Sequence, residues 1–151
     1  MIRFIGEIPL KKIKFNKNFQ PLFCDEGDEF YPNGIFEFNI TKLSEFINAN
    51  QDTFQPQEVE VRAVRIDYSS SNLNESTIQS ANLLTPIIMA EISPGIFNVI
   101  DGHHRLEKAY RDGVTKMLAY KVLAEQHIRF LTSTMAYKEY VQYWNAKLKS
   151  R

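Results

Sequence analysis

A single cysteine, Cys24, stands among the 151 residues. One thiol closes no internal disulfide and builds no multi-cysteine zinc site. Long apolar runs are missing too. No stretch approaches the roughly 18 uninterrupted apolar residues of a transmembrane helix, so no membrane partner is expected. The start, MIRFIGEIPLKKIKF, carries no cleavage-like segment, and no signal peptide is expected. Met1 fits a native start, and the cytoplasm is the expected compartment. Nor is there a surplus of charge: 18 Lys and Arg balance 18 Asp and Glu. Proteins that neutralise many phosphates carry a basic surplus. DNA binding is therefore not expected without an added domain, whereas a local basic pocket is compatible with the balance.

What is present favours an ordered globule: 44% of residues are hydrophobic and 13% aromatic. The length suits one domain, which buries roughly two thirds of its unfolded surface. Residues 2–8 read as a short strand and 15–34 as irregular. The acids Asp25, Glu26, Asp28 and Glu29 read as a solvated loop, since they lack the ligand series of a calcium loop. In ITKLSEFINAN (40–50), Ile40, Leu43 and Ile47 repeat at helical spacing, with Asn39 or Thr41 as cap. EVEVRAVRIDY (58–68) alternates and then switches face, as a bulged or doubly covered strand does. Asn72 and Glu75 resemble a capping box before a short helix. PIIMAEI and IFNVID, separated by SPG, read as a hairpin. MLAYKVL (117–123) is another strand. In the tail, Tyr137, Tyr140, Val141, Trp144 and Leu148 share one face of a helix, a stripe that reads as packing. Its opposite face leaves a homodimer open.

The chemistry is concentrated in NVIDGHHRLEKAYRDGV (98–114), where Asp101, Gly102, His103, His104 and Arg105 are consecutive. A strand ends at Asp101 and Gly102 lets the backbone turn tightly. A helix then begins, ended by Gly113. The first amides of a helix have no partner within it and, with the dipole, favour an anion. Arg105 adds a planar fork of donors suited to phosphate or carboxylate. The candidate phosphate- or nucleotide-binding residues are thus Gly102, His103, His104 and Arg105. His104 is a candidate proton donor or acceptor, because an imidazole titrates near neutrality. A purely architectural reading stands beside this one. Asp101 then caps the helix, His103 packs with Leu106 and Tyr110, and Arg105 pairs with a carboxylate elsewhere. Metal ligation is not expected, since adjacent histidines seldom face one ion and His127 lies far along the chain.

These residues resemble the phosphate-binding box of the ParB/sulfiredoxin-like superfamily. The pattern is Gly-x-x-Arg, then a small residue and a glycine at four-residue steps: Gly102, Arg105, Ala109 and Gly113. Upstream, the order of strand, short helix, Pro-Ile-Ile strand and hairpin is similar as well, and KMLAYKVL fits the closing strand. The resemblance covers about 58–125. It implies an α+β fold: a mixed sheet with helices packed around it, within a single domain over 1–151. Residues 1–57 form an N-terminal extension and 130–151 a long C-terminal helix. FYPNGIFEFNI is a candidate wall or lid over the pocket.

For activity the resemblance implies less. Sulfiredoxins place a catalytic cysteine directly after the box glycine, where this chain has His103, so that activity is not expected. Chromosome-partitioning ParB proteins bind and hydrolyse CTP and carry a helix-turn-helix domain after the box, which is not expected in this chain. ParB-like free serine kinases have a similar Asp-Gly-His-His-Arg box and a nucleotide donor. Phosphoryl transfer on that plan needs positive groups on the phosphates, a divalent ion and a base. Asp101 and His104 are the candidate catalytic residues, with Asp101 placed to bind magnesium brought by a nucleotide. Asp67, Glu75 and Glu91 are candidate bases. Many proteins of this fold are labelled nucleases, which implies phosphodiester cleavage. Three readings follow: a phosphate-ester enzyme (nuclease, nucleotide hydrolase or small-molecule kinase), a non-catalytic nucleotide sensor, and an interaction module whose box only stabilises the helix.

Overall fold

A computed structural model of the chain describes residues 4–5, 8–34, 36–65 and 73–150. Two small hairpins come first: Phe4–Ile5 (β1) with Ile8–Pro9 (β2), and Phe30–Asn33 (β3) with Phe36–Asn39 (β4). The short strand expected at 2–8 is thus split between β1 and β2. The second hairpin was not expected: β3 falls in the segment 15–34, read as irregular, and β4 follows it. Its inner strand buries Phe36 and Phe38, the alternate positions that a strand turns to one face.

Helix Ile40–Ala49 (α1) follows directly. Asn39 is its cap, accepting from the Lys42 N–H at 3.0 Å. Ile40, Leu43 and Ile47 are its buried face. Gln57–Glu60 (β5) then gives way to a short helix, Val61–Arg65 (α2). The long strand expected over 58–68 therefore ends at Glu60. The Val61 N–H donates to Thr115 O, and Val61 and Val64 are both buried, three residues apart on one helix face. The rest of that strand, Asp67 included, lies outside the described residues. The next helix, Glu75–Ser80 (α3), is capped by Asn74, whose side chain accepts from the Thr77 N–H. The expected cap, Asn72, is also outside the described residues.

The remaining elements are Ile87–Ser93 (β6), Ile96–Asp101 (β7), His103–Arg111 (α4), Lys116–Val122 (β8), Ala124–His127 (α5), a 3₁₀ turn at Ile128–Phe130, and Thr134–Lys149 (α6). β6 and β7 form the expected antiparallel hairpin, and Gly113 at φ 75° follows the end of α4. The main sheet runs β5-β8-β6-β7. β6 and β8 are parallel and the outer pairs antiparallel, so the sheet is mixed. The fold is α+β, with a long C-terminal helix. No helix among the described residues is long and apolar enough to cross a membrane.

β6 is buried along its whole length, as a central strand covered on both faces must be. Its side chains divide alternately between two cores. Ile87 and Met89 join Val61, Val64, Leu106 and Ala109 of α2 and α4. Ile88, Ala90 and Ile92 join Phe36, Phe38, Leu43, Tyr140 and Trp144 of β4, α1 and α6. The N-terminal residues read as an extension thus complete one of the two cores. The aromatic stripe of α6 packs within its own chain: Tyr137, Tyr140, Val141 and Trp144 are buried and Leu148 is partly so.

A candidate anion site at the Gly102 turn

β7 delivers Asp101 to the end of the sheet, opposite Ile88. Gly102 follows at φ 99°, and α4 starts at once. A Cβ on Gly102 would stand 2.6 Å from Ile87 Cγ2 and 2.8 Å from Arg105 Nη2. The turn therefore requires glycine for two reasons: its positive φ and its closeness to the central strand. The first intrahelical bond runs from the Leu106 N–H to Gly102 O, at 2.9 Å. No side chain caps this helix start. The expectation that Asp101 caps α4 is thereby corrected. Its carboxylate instead accepts from Arg105 Nη2 at 3.3 Å, one turn further along the helix.

Arg105 is the centre of the arrangement. Its Nη2 also donates to Pro86 O at 3.2 Å, which ties the head of β6 to α4. Its Nε is buried and has no hydrogen-bond partner among the described residues. A guanidinium offers five donors, and a buried donor left unmade costs about 1–3 kcal/mol. An oxyanion that accepts from this N–H would remove that cost.

His103 stacks on Tyr31 of β3, ring centroids 5.0 Å apart. The β3–β4 hairpin therefore reaches the junction, as expected of a wall. Burial holds the His103 pKa below its ordinary value, against the opposing charge of Asp101. The ring is neutral near pH 7.

His104 is engaged elsewhere. Its Nε2 accepts from the Asn74 N–H at 3.2 Å, which places its proton on Nδ1. The same helix face carries Lys108 and Arg111. Lys108 Nζ donates to Gln79 O and Ala81 O at the end of α3. Arg111 makes a two-point pair with Glu75, at 2.6 and 3.1 Å. Positions i, i+4 and i+7 lie on one stripe of a helix, and here the stripe clamps α3. Glu107, buried on the adjacent stripe, joins Arg65 of α2 to Arg111. The partner of His104, the backbone N–H of Asn74, has no signal in the sequence.

Of the candidate bases, the two within the described residues, Glu75 and Glu91, are both engaged away from Gly102. Asp67 lies outside the described residues. Glu75 is held below the usual carboxylate range by its hydrogen bonds from Arg111, which makes it a weak base. Glu91 sits three residues up β6 from Ile88, the partner of Asp101, hence about 10 Å along the strand. Its two oxygens accept from the N–H groups of Gly95 and Ala124. His127 is likewise remote. It is fully buried and donates to Glu91 O at 2.7 Å. Among the described residues no group of three or more His, Cys, Asp or Glu side chains is placed to hold a metal ion.

No family model matches this chain, and neither a curated protein nor a solved structure matches it.

Proposed function

We propose that the Gly102 turn binds the phosphate of a nucleotide or small phosphate ester, on the plan of the ParB/sulfiredoxin-like fold that the box resembles. The observation that carries this reading is the buried, unpartnered Nε of Arg105 beside a helix start that no side chain caps. The anion would take the open N–H groups of the first turn of α4 together with the Arg105 fork. Asp101 would exchange its contact with Arg105 for a magnesium ion carried on the nucleotide. One carboxylate plus substrate phosphates is a usual way to hold that ion. Tyr31 and His103 form the aromatic side of the site.

Binding without turnover is the favoured form of this reading. The described residues bring no free base to the turn, and Nε2 of His104 already accepts from Asn74. Phosphoryl transfer or hydrolysis would require His104 to leave Asn74, so a His104→Ala variant that still turns over nucleotide would need another base. The test is a thermal-shift panel of CTP, ATP, GTP, phosphate and sulfate, each with and without magnesium, on wild type and Arg105→Ala. Ligand that binds the native state raises Tm by mass action. The expected result is a nucleotide-dependent rise in wild type that is absent in Arg105→Ala. Equal rises in both proteins, or none with any ligand, would overturn the assignment.

A further inference from the structure

A cavity lies away from the Gly102 turn and shares none of the residues Asp101 to Arg105. It measures about 480 Å³, within the roughly 300–1,000 Å³ of small-molecule sites. One wall is the segment 10–19, which has no strand or helix of its own. This strap is held by side chains of α6. The Asn145 amide accepts from the Ile13 N–H at 2.8 Å and donates to Ile13 O at 2.9 Å, as a neighbouring strand would. Trp144 Nε1 donates to Lys11 O at 2.8 Å, and Tyr137 Oη accepts from the Asn16 N–H at 2.8 Å. Phe19 stacks on Tyr137 with centroids 4.0 Å apart. These bonds fix the strap by its backbone and leave Ile13, Phe19, Leu123, Ile128 and Trp144 lining an open apolar space.

Among the described residues, the charge lining this space is mostly positive. Residues 8–24 contain four lysines and no acid, although the chain as a whole is balanced. Lys11, Lys12 and Lys14 line the cavity and make no ion pair among the described residues. With Arg129 they set four cationic side chains against two acidic ones, Glu91 and Glu125. The Glu91 oxygens are already met by backbone N–H groups at 3.0 Å.

We infer that this cavity binds an amphipathic carboxylate, its apolar acyl or aryl body under the strap and its head group among Lys11, Lys12 and Lys14. Trp144 is the only tryptophan in the chain and lines the cavity, so its fluorescence reports occupancy. The experiment titrates the full chain with decanoate, 1-naphthoate and decanol. Both acids should give saturable changes, and the tighter of the two identifies an acyl or an aryl body. Decanol should bind at least about fivefold more weakly than decanoate. The Lys11→Gln/Lys12→Gln/Lys14→Gln variant should weaken decanoate by about fivefold or more, the sum of three modest exposed charges, and leave decanol unchanged. Added salt should act in the same direction. Ile128→Phe, which fills the space, should abolish both signals. Decanol binding as tightly as decanoate, an unchanged Kd in the folded lysine variant, or no saturable change with either acid would overturn the inference.

Discussion

Replacing Gly102 with alanine tests the turn on which the anion site is built. At φ 99° a side chain costs about 1–3 kcal/mol of backbone strain. The new methyl would also meet Ile87 Cγ2 at 2.6 Å and Ile87 Cβ at 3.0 Å. Ile87 is fully buried in the central strand and has little room to give. Overpacking of that kind costs about 1–3 kcal/mol. The sum is about 2–6 kcal/mol, a fall in Tm on the order of 5–20 °C for a domain of this size. Urea unfolding followed by circular dichroism measures it. Two controls separate the contributions. Gly27 has φ 91° and nothing within 4 Å of a Cβ, so Gly27→Ala should show the strain alone. In an Ile87→Ala background the Cγ2 contact is gone, and Gly102→Ala should cost about 1–3 kcal/mol less. A Gly102→Ala protein within about 0.5 kcal/mol of wild type would refute the reasoning. Equal costs in the two backgrounds would refute the steric half.

Two further predictions concern the buried cluster below Glu91. Burial pushes the His127 pKa down to about 4, whereas an unfolded histidine titrates near 6.5. Between those values the unfolded chain binds a proton that the native state refuses. Stability should therefore be level above about pH 6.5 and fall by up to about 1.4 kcal/mol per unit below it, about 3 kcal/mol by pH 4. His127→Gln, which keeps a donor for Glu91 O, should fall less steeply over this range in urea unfolding; parallel curves would contradict the burial argument. Tyr140→Phe removes a 2.6 Å bond to the same carbonyl, which keeps His127 as a donor. It should cost about 1 kcal/mol, and a loss above about 3 kcal/mol in the same assay would show that the hydroxyl holds more than this one bond.

The parts of the fold legible in the sequence are those written in local signals. Ile87–Ser93 and Ile96–Asp101 announce a hairpin because two apolar runs flank Pro94-Gly95. Asn39 and Gly113 mark helix ends through their own backbone chemistry. The strand over 58–68 failed because Val59, Val61 and Val64 satisfy both periods: alternation joins Val59 to Val61, while a three-residue step joins Val61 to Val64. The β3–β4 hairpin was hidden because Pro32 and Asn33, residues typical of turns, lie within β3, although Phe36 and Phe38 carried the alternation of a strand. At the site, the cluster of polar residues after a strand was visible. The use made of each was not, because it depends on distant backbone. His104 is taken by Asn74 and Arg105 by Pro86 O, and neither contact has a signature in the box. The same holds for the strap, where Asn145 meets Ile13 from the other end of the chain.

The most direct test of the anion site is an amide ¹H–¹⁵N titration of the uniformly labelled protein with magnesium and CTP, then ATP. The account predicts saturable shifts that are largest at the amides of His103, His104 and Arg105 and at the Arg105 Nε–H resonance. No saturable shift there with either nucleotide, or shifts confined to the segment 10–19, would contradict it.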